Sequence, residues 1–415
     1  MSIFVDYSVN IVCMNFRSKL EGIFLHPFFR KEKNIFLIWV ITGIAFAVIK
    51  LSIGKFNNYK LFKGVYWHAL DGLSLYAKYP QECKDSNHYG ILFSLIIAPF
   101  AALPDWLGII LWVVANTAFL FFAIRQLPLT HIQKVIIYWF SFCELMTAQS
   151  MQQFNISVAA IVILAFVLIE KQRDFLAAAI IIFGALIKIY PIVGLAFFFF
   201  SRHKLRFVLS CIFWIIVFFC IPMLYTSGWD YVVSQYLEWF QELQIKSNTN
   251  LFALPQNVSL LGVVRKISGS PDYSDLWLII PGLVLFCIPY LRIDQYKYLR
   301  FRLMFLANIL LFVILFSTGS EASGYIIAMI GVAIWYLCSP SEHKKYNQWL
   351  FIATLIIVGV STTELVPAFI RNGFIRPYVF KAWPCIVVWL TICYEMIFLN
   401  FKKDMNLRQS ELSKS

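Results

Sequence analysis

"NIFLIWVITGIAFAVIKLSIGKFNNYKLFKGVYWHALDGLSLYAKYP", residues 34–80, changes character part-way along. Residues 34–53 are almost wholly apolar and match the roughly 20 residues that a helix needs to cross a hydrocarbon core. Residues 57–80 then mix Asn57, Asn58, Lys60, Lys63, His68 and Asp71 with Tyr59, Phe62, Tyr66, Trp67 and Tyr76. An apolar run that ends in such a stretch reads as a membrane span opening onto a polar, aromatic rim. The rest of the chain repeats that alternation.

Composition agrees. Of 415 residues, 60% are hydrophobic and 14% charged, where a soluble domain is nearer one quarter charged. The 41 Phe, 20 Tyr and 13 Trp suit lipid-facing helices and interfacial belts. A net charge of +13 calls for no nucleic acid, because short basic loops facing anionic lipid account for it. Of nine Cys, those at 143, 211, 220, 287, 338, 385 and 393 lie in or beside apolar runs and read as small buried hydrophobes. Only Cys83 sits in a long polar loop. The spacing suggests no disulfide framework and no Cys/His metal site. Residues 1–33 lack a cleavable signal. Segment 14–30 suits an amphipathic helix on the membrane surface, or a fold-back onto the protein.

Apolar runs predict spans over 34–53, 106–126, 133–148, 155–170, 175–187, 190–200, 205–225, 276–291, 301–318, 323–338, 349–365 and 383–400. Lys188 and Pro191, in "KIYP", divide 175–200 into two segments, since proline lacks a backbone donor. Segment 91–103 is too short to span. It reads as re-entrant, or as a half-helix leading to the Pro104-Asp105-Trp106 turn. The expected fold is all-α: a polytopic membrane protein with about 12 transmembrane helices plus a re-entrant segment. A cytoplasmic N-terminal segment (1–33) precedes one transmembrane domain (34–400), and a cytoplasmic tail (401–415) follows.

With the N-terminus inside, the basic clusters "FRKEK", "EKQR", "SRHKLR" and "RIDQYKYLRFR" fall on the cytoplasmic side. The outer face receives two long loops, 54–90 and 226–275. It also receives "MQQFN" (151–155), "KIYP" (188–191), "GSEASG" (319–324) and residues 366–381. Nearly every unusual polar stretch lands on one face, which predicts a cavity open to the periplasm or exterior of a cell (inner) membrane.

Five stretches carry a family resemblance. They are "NNYKLFKGVYWHALDGLSLY"; "YGILFSLIIAPFAALPDWLGIILWVVAN" (89–116); "QQFN"; "GALIKIYPIVGLAFF"; and "STGSEASGYIIAMIGVAIWYL" (317–337). In order and spacing they resemble the lipid-linked-sugar glycosyltransferases of the GT-C class, specifically glycosyltransferase family 87, over roughly residues 34–400. One position departs. Members of the class place a catalytic Asp just after the first span, and the matching residue here is Asn58, which takes no proton at neutral pH. Either another carboxylate is the base, or the acceptor is handled differently, or activity is lost.

The resemblance implies a polyprenyl-phosphate sugar as donor and a lipid or glycan acceptor among the membrane lipids. A hexose, mannose foremost, moves as the acceptor hydroxyl attacks the anomeric carbon and the lipid phosphate leaves. That chemistry asks for a carboxylate base, for cations on the phosphate and for a groove for the tail. It requires no cofactor, and a metal is optional. Asp71 and Asp85 are the first candidate bases, with Glu82 and Asp105 behind them, though any of these reads equally as a solvated loop acid. Asp71-Gly72 is also a plain turn signal. Glu321, in the tight "GSEASG" turn, is the third catalytic candidate. It is otherwise a surface-turn acid.

Lys188 is expected on the donor phosphate or in a pair with a carboxylate, since an unpaired ammonium at that depth is costly. Lys63, Arg265 and Lys266 are further phosphate candidates. The last two end the amphipathic-looking segment "NLFALPQNVSLLGVVRKI" (250–267). Asn58, Gln153, Asn155 and His68 are substrate-binding candidates, with Asn155 also readable as a helix cap and His68 as structural. Arg371 and Arg376 suit phosphate or lipid headgroups. Two rivals are a lipid-linked-sugar flippase or transporter and a polysaccharide polymerase or ligase. The near absence of mid-span polar residues, Glu144 and Glu395 excepted, and of an internal repeat favours the enzyme.

Overall fold

The computed structural model describes residues 26–404, apart from 84, 254, 271, 340–343, 362, 364 and 365. Most of the 14–30 segment and of the 401–415 tail therefore lies outside the described residues. All regular structure among the described residues is helical. In chain order the helices are α1 (Glu32–Ser52), α2 (Asn57–Leu70), α3 (Phe93–Ala101), α4 (Asp105–Arg125), α5 (His131–Phe140), α6 (Phe142–Ser150), α7 (Asn155–Glu170) and α8 (Asp174–Ile187). After a 3₁₀ stretch, Tyr190–Phe200, come α9 (Lys204–Cys220), α10 (Trp229–Asn250), α11 (Leu260–Ser268), α12 (Leu276–Cys287), α13 (Leu299–Leu315), α14 (Tyr325–Cys338), α15 (Lys344–Val360) and α16 (Ala382–Phe398).

By length and composition α1, α4 and Lys204–Leu224 can each cross a membrane. Most other apolar runs form shorter helices, of 10–17 residues. The run 133–148 is two helices, parted at Ser141, whose hydroxyl bonds back to the Ile137 carbonyl at 2.8 Å. Segment 91–103 yields the nine-residue α3, and Pro104 then caps the start of α4.

Helices α7, α13 and α14 are buried almost all round and form the centre. A helix apolar on every side must be enclosed in this way. By contrast α9 exposes Leu205, Leu209, Phe213 and Ile216 outward, as a lipid-facing helix does. At one end of the bundle Glu32 pairs with Arg125 (3.2 Å) and Arg302 clamps Glu170 (2.6 and 2.8 Å). The opposite end gathers the start of α7, the end of α8 and the turns around α10 and α14.

Of the buried carboxylates among the described residues, Glu144 and Glu395 have side-chain partners, and Asp174, at the start of α8, has none for either oxygen. Lys381 donates to both oxygens of Glu144 at 2.9 and 2.8 Å, and each side chain is 1% exposed. Lys381, the last residue of the 366–381 segment, stands buried at the N-cap of α16. Glu395 accepts from Trp335 Nε1 (3.0 Å) and from Ser339 (2.7 Å).

Candidate active site

Helix α8 stops at Ile187 because Lys188 is extended (φ −143°, ψ 129°) and Pro191 opens the 3₁₀ stretch. The break turns the Lys188 ammonium into a cavity of about 410 Å³. There it donates to Asn155 Oδ1 at 2.7 Å and lies over the rings of Tyr89 (5.3 Å) and Tyr190 (5.0 Å). Burial lowers its pKa to about 8; the Glu321 charge opposes that shift and the Lys246 charge adds to it.

Asn155 does not cap its helix. The cap position is Phe154, and Asn155, the first helical residue, spends its carbonyl oxygen on Lys188 and its amide on Ser323 Oγ (3.4 Å). An ammonium is the stronger partner, since a charge-assisted bond outweighs a neutral cap. The preceding turn is tight, with Gln152 at φ 51°. It presents Gln153 to the cavity, where Gln153 Oε1 accepts from Tyr89 Oη at 3.4 Å. Asn58 lines the same wall, and its amide donates to the Met151 carbonyl at 2.8 Å.

Gly90 fixes the loop between α2 and α3 against this floor. Its N–H donates to the Ile187 carbonyl at 2.9 Å. A Cβ there would lie 2.1 Å from the Leu186 carbonyl oxygen, so only glycine permits the approach. The loop thereby delivers Asp85, Ser86, His88 and Tyr89 to the cavity. From the other side Ser317, Thr318, Gly319 and Glu321 enter on the turn between α13 and α14.

Helix α10 forms the remaining wall. Leu243, Lys246, Ser247 and Asn250 follow an i, i+3, i+4, i+7 stripe, so they share one face. The helix is tied to the loop between α2 and α3. Gln235 accepts from the Leu75 N–H (2.8 Å), Trp239 Nε1 donates to the His88 carbonyl (2.9 Å), and Glu238 accepts from Ser74. Glu242 accepts from Ser86 and lies 3.3 Å from His88. Burial works against the Glu242 carboxylate, but the bonds from His88 and Ser86 and the charges of His88 and Lys246 hold it below its usual range.

Of the residues singled out in the sequence, Asn58, Asp85, Gln153, Lys188 and Glu321 line this cavity, and Asn155 supports it through Lys188. The others lie elsewhere. Asp71 is exposed at the end of α2, where Gly72 (φ +67°) completes the turn. Lys63 pairs with Asp105 at 2.7 Å. His68 stacks on Tyr79 (3.9 Å) and lies 3.2 Å from Glu82. Arg265 is buried against Asp275 (2.8 Å) and the Tyr273 carbonyl (3.0 Å), and Lys266 donates to the Gln256 carbonyl (2.7 Å). Arg371 donates to the Thr363 carbonyl and Arg376 to Asn372. Sequence reasoning missed Tyr190, Lys246, Ser247 and Asn250. For the last three the signal is the α10 stripe, inside the polar segment 226–275.

A second hollow, of about 420 Å³, opens between α3, α4, α7 and α8. It is lined by Phe100, Trp112, Phe119, Phe154, Ile180 and Phe183 among others and is almost wholly apolar. Phe154 separates the two spaces: it faces Tyr89 at 6.0 Å on the polar side and stacks on Trp112 at 6.1 Å on the apolar side. At a rise of about 1.5 Å per residue, Ile180 lies roughly 12 Å along α8 from Lys188. Among the described residues no group of three or more His, Cys, Asp or Glu side chains is placed to hold a metal ion.

No curated protein matches the chain. A family model, glycosyltransferase family 87, matches residues 87–318. The match takes in the loop that carries Tyr89, the Gln153–Asn155 turn, the Lys188 break, α10 and the Ser317–Thr318 approach to Glu321. The chain belongs to glycosyltransferase family 87, and with it to the enzymes that move a sugar from a donor to an acceptor.

Proposed function

We propose that the protein transfers a hexose, mannose foremost, from a polyprenyl-phosphate sugar to a hydroxyl of a lipid or glycan acceptor at the extracytoplasmic face. One observation carries the reading. Lys188, Glu321, Asp85, Gln153 and Asn58, far apart in the chain, line a single cavity beside an apolar groove.

In this reading the donor's phosphodiester lies against Lys188, and its prenyl tail runs down the groove past Phe154 and Phe183. Gln153 and Asn58 face the sugar hydroxyls. The acceptor oxygen attacks the anomeric carbon and its proton passes to Glu321. The bond from that carbon to the phosphate oxygen breaks, and its electron pair stays on the phosphate. Glu321 is preferred to Asp85 because it is half-buried and shares the Lys188 field, whereas Asp85 stands exposed at the rim. A base shielded from water is worth more in the transition state.

The test is transfer of labelled mannose from polyprenyl-phosphate mannose in purified membranes. Glu321→Gln is expected to lower kcat by about 10²-fold or more, the usual worth of a positioned base. Asp85→Asn is expected to act within a few-fold, and Asp71→Asn to match wild type. Wild-type membranes that transfer sugar from no polyprenyl-phosphate donor would end the proposal. Full activity in Glu321→Gln would remove Glu321 as the base and leave the donor class standing.

A further inference from the structure

The ammonium of Lys246 points to a use that the reading above leaves open. Lys246 lines the cavity on the wall opposite the α7–α8 floor, half-buried, and makes no hydrogen bond or ion pair among the described residues. Asn250, one turn further along the same face, is fully buried. Its amide reaches the Thr318 carbonyl at 3.3 Å, but its Oδ1 has no partner. The orphaned buried acceptor is costly unless a partner completes it, and the half-buried ammonium on the same wall has no hydrogen bond to give up before it meets an anion. A ligand that offers negative charge and, close by, a hydroxyl donor complements both groups.

We propose that Lys246 is the second phosphate contact of the site and acts on the charge that appears as the donor departs, with Asn250 accepting from a hydroxyl of the transferred sugar. This rests on the polyprenyl-phosphate reading. The bound donor is a phosphodiester with one negative charge. When the anomeric carbon–oxygen bond breaks, the electron pair remains on the phosphate, which becomes a monoester with a second charge. The acceptor's proton goes to Glu321, so nothing else neutralises that charge. One lysine suffices for the ground state, and two match the departing group. A contact that strengthens only along the reaction coordinate raises kcat rather than lowering KM.

The position of Lys246 also assigns a task to the outer helix. Because α10 is fastened to the first outer loop through Gln235, Trp239 and Glu242, the loop that carries Tyr89 and the helix that carries Lys246 meet the phosphate as one unit.

The experiment is steady-state transfer by the full-length protein in nanodiscs, with polyprenyl phosphate and inorganic phosphate as separate inhibitors. Lys246→Ala is expected to lower kcat about tenfold or more with donor KM within about threefold, and to weaken inhibition by polyprenyl phosphate about tenfold. Lys246→Arg should recover most of both. Weakened inhibition by inorganic phosphate as well means that the site reads the phosphate group alone. Weakening confined to polyprenyl phosphate means that it reads phosphate together with lipid. Lys246→Met, which keeps the apolar stem, replaces the alanine variant should that one lose its melting transition. Unchanged kcat and unchanged product inhibition overturn the inference. Should Lys188→Ala be impaired while Lys246→Ala matches wild type, only the Lys246 role falls. Should wild type neither transfer from nor bind any polyprenyl phosphate, the underlying reading falls with it.

Discussion

Asn58 stands where the family resemblance places a carboxylate, and its amide has a bond of its own. Its Nδ2 donates to the Met151 carbonyl at 2.8 Å, at the foot of the turn that presents Gln153 and Asn155. A carboxylate at that position has nothing to donate and would face a carbonyl oxygen. Asn58→Asp is therefore expected to cost about 1 kcal/mol of stability, the net worth of one partly exposed hydrogen bond. It is not expected to raise the transfer rate, and thermal unfolding together with the transfer assay checks both. Lys188 gives a pH signature. Burial holds its pKa near 8, below the usual lysine range, so the ammonium is charged below that pH and neutral above it. In the proposed reading the donor phosphate needs the charged form, so kcat/KM, which reports the free enzyme, should fall as pH rises through about 8. Lys188→Arg should lose that alkaline limb, because guanidinium stays protonated. A flat profile up to pH 9.5 in wild type would remove Lys188 from phosphate binding.

The elements divide between those written in their own residues and those set by distant partners. Most apolar runs gave helices, although 133–148 gave two and 190–200 a 3₁₀ stretch, and "KIYP" gave the break at Lys188. The part of 226–275 that became α10 was not legible. Its mean polarity hides the stripe of Leu243, Lys246, Ser247 and Asn250, and its bonds run to residues more than 150 positions earlier. Arg265 and Lys266, phosphate candidates by sequence, have protein partners instead that the sequence does not announce. The partner that holds Arg265 is Asp275, ten residues on, and proximity in sequence does not announce a pair across an irregular loop. The junction of first loop and α8 gives the sharpest element-scale test. Gly90→Ala sets a methyl 2.1 Å from the Leu186 carbonyl oxygen and 3.0 Å from the Trp239 ring, and neither backbone nor indole can yield cheaply. The loop must shift, carrying Tyr89 off Lys188. Overpacking of this kind costs about 1–3 kcal/mol. Activity should fall further than stability does, by about 10²-fold, because misplacement of about 1 Å is enough to spoil a site. A Gly90→Ala protein that melts lower but transfers sugar at the wild-type rate would show that the loop does not position the site.

At the scale of the whole molecule, charge is sorted by end. Glu32, Arg125, Glu170 and Arg302 close one end of the bundle with ion pairs, and the cavity with Lys188, Lys246, Asp85 and Glu321 occupies the other. Basic loops are retained on the cytoplasmic side, so the end with Lys171 and Arg173 is expected inside and the cavity outside. The buried Glu144–Lys381 pair lies between the ends and is neutral as a unit, so it does not bias the orientation. The consequence can be measured. In a variant cleared of its nine Cys, a single cysteine at the exposed Lys78, in the first outer loop, should react with a membrane-impermeant maleimide in intact cells. One at the exposed Lys171, between α7 and α8, should react only after the membrane is opened. The reverse pattern would place the cavity in the cytoplasm. There the donor's sugar would be presented from the inner leaflet, and the helix sorting that assigns the polar loops to one face would have to be read upside down.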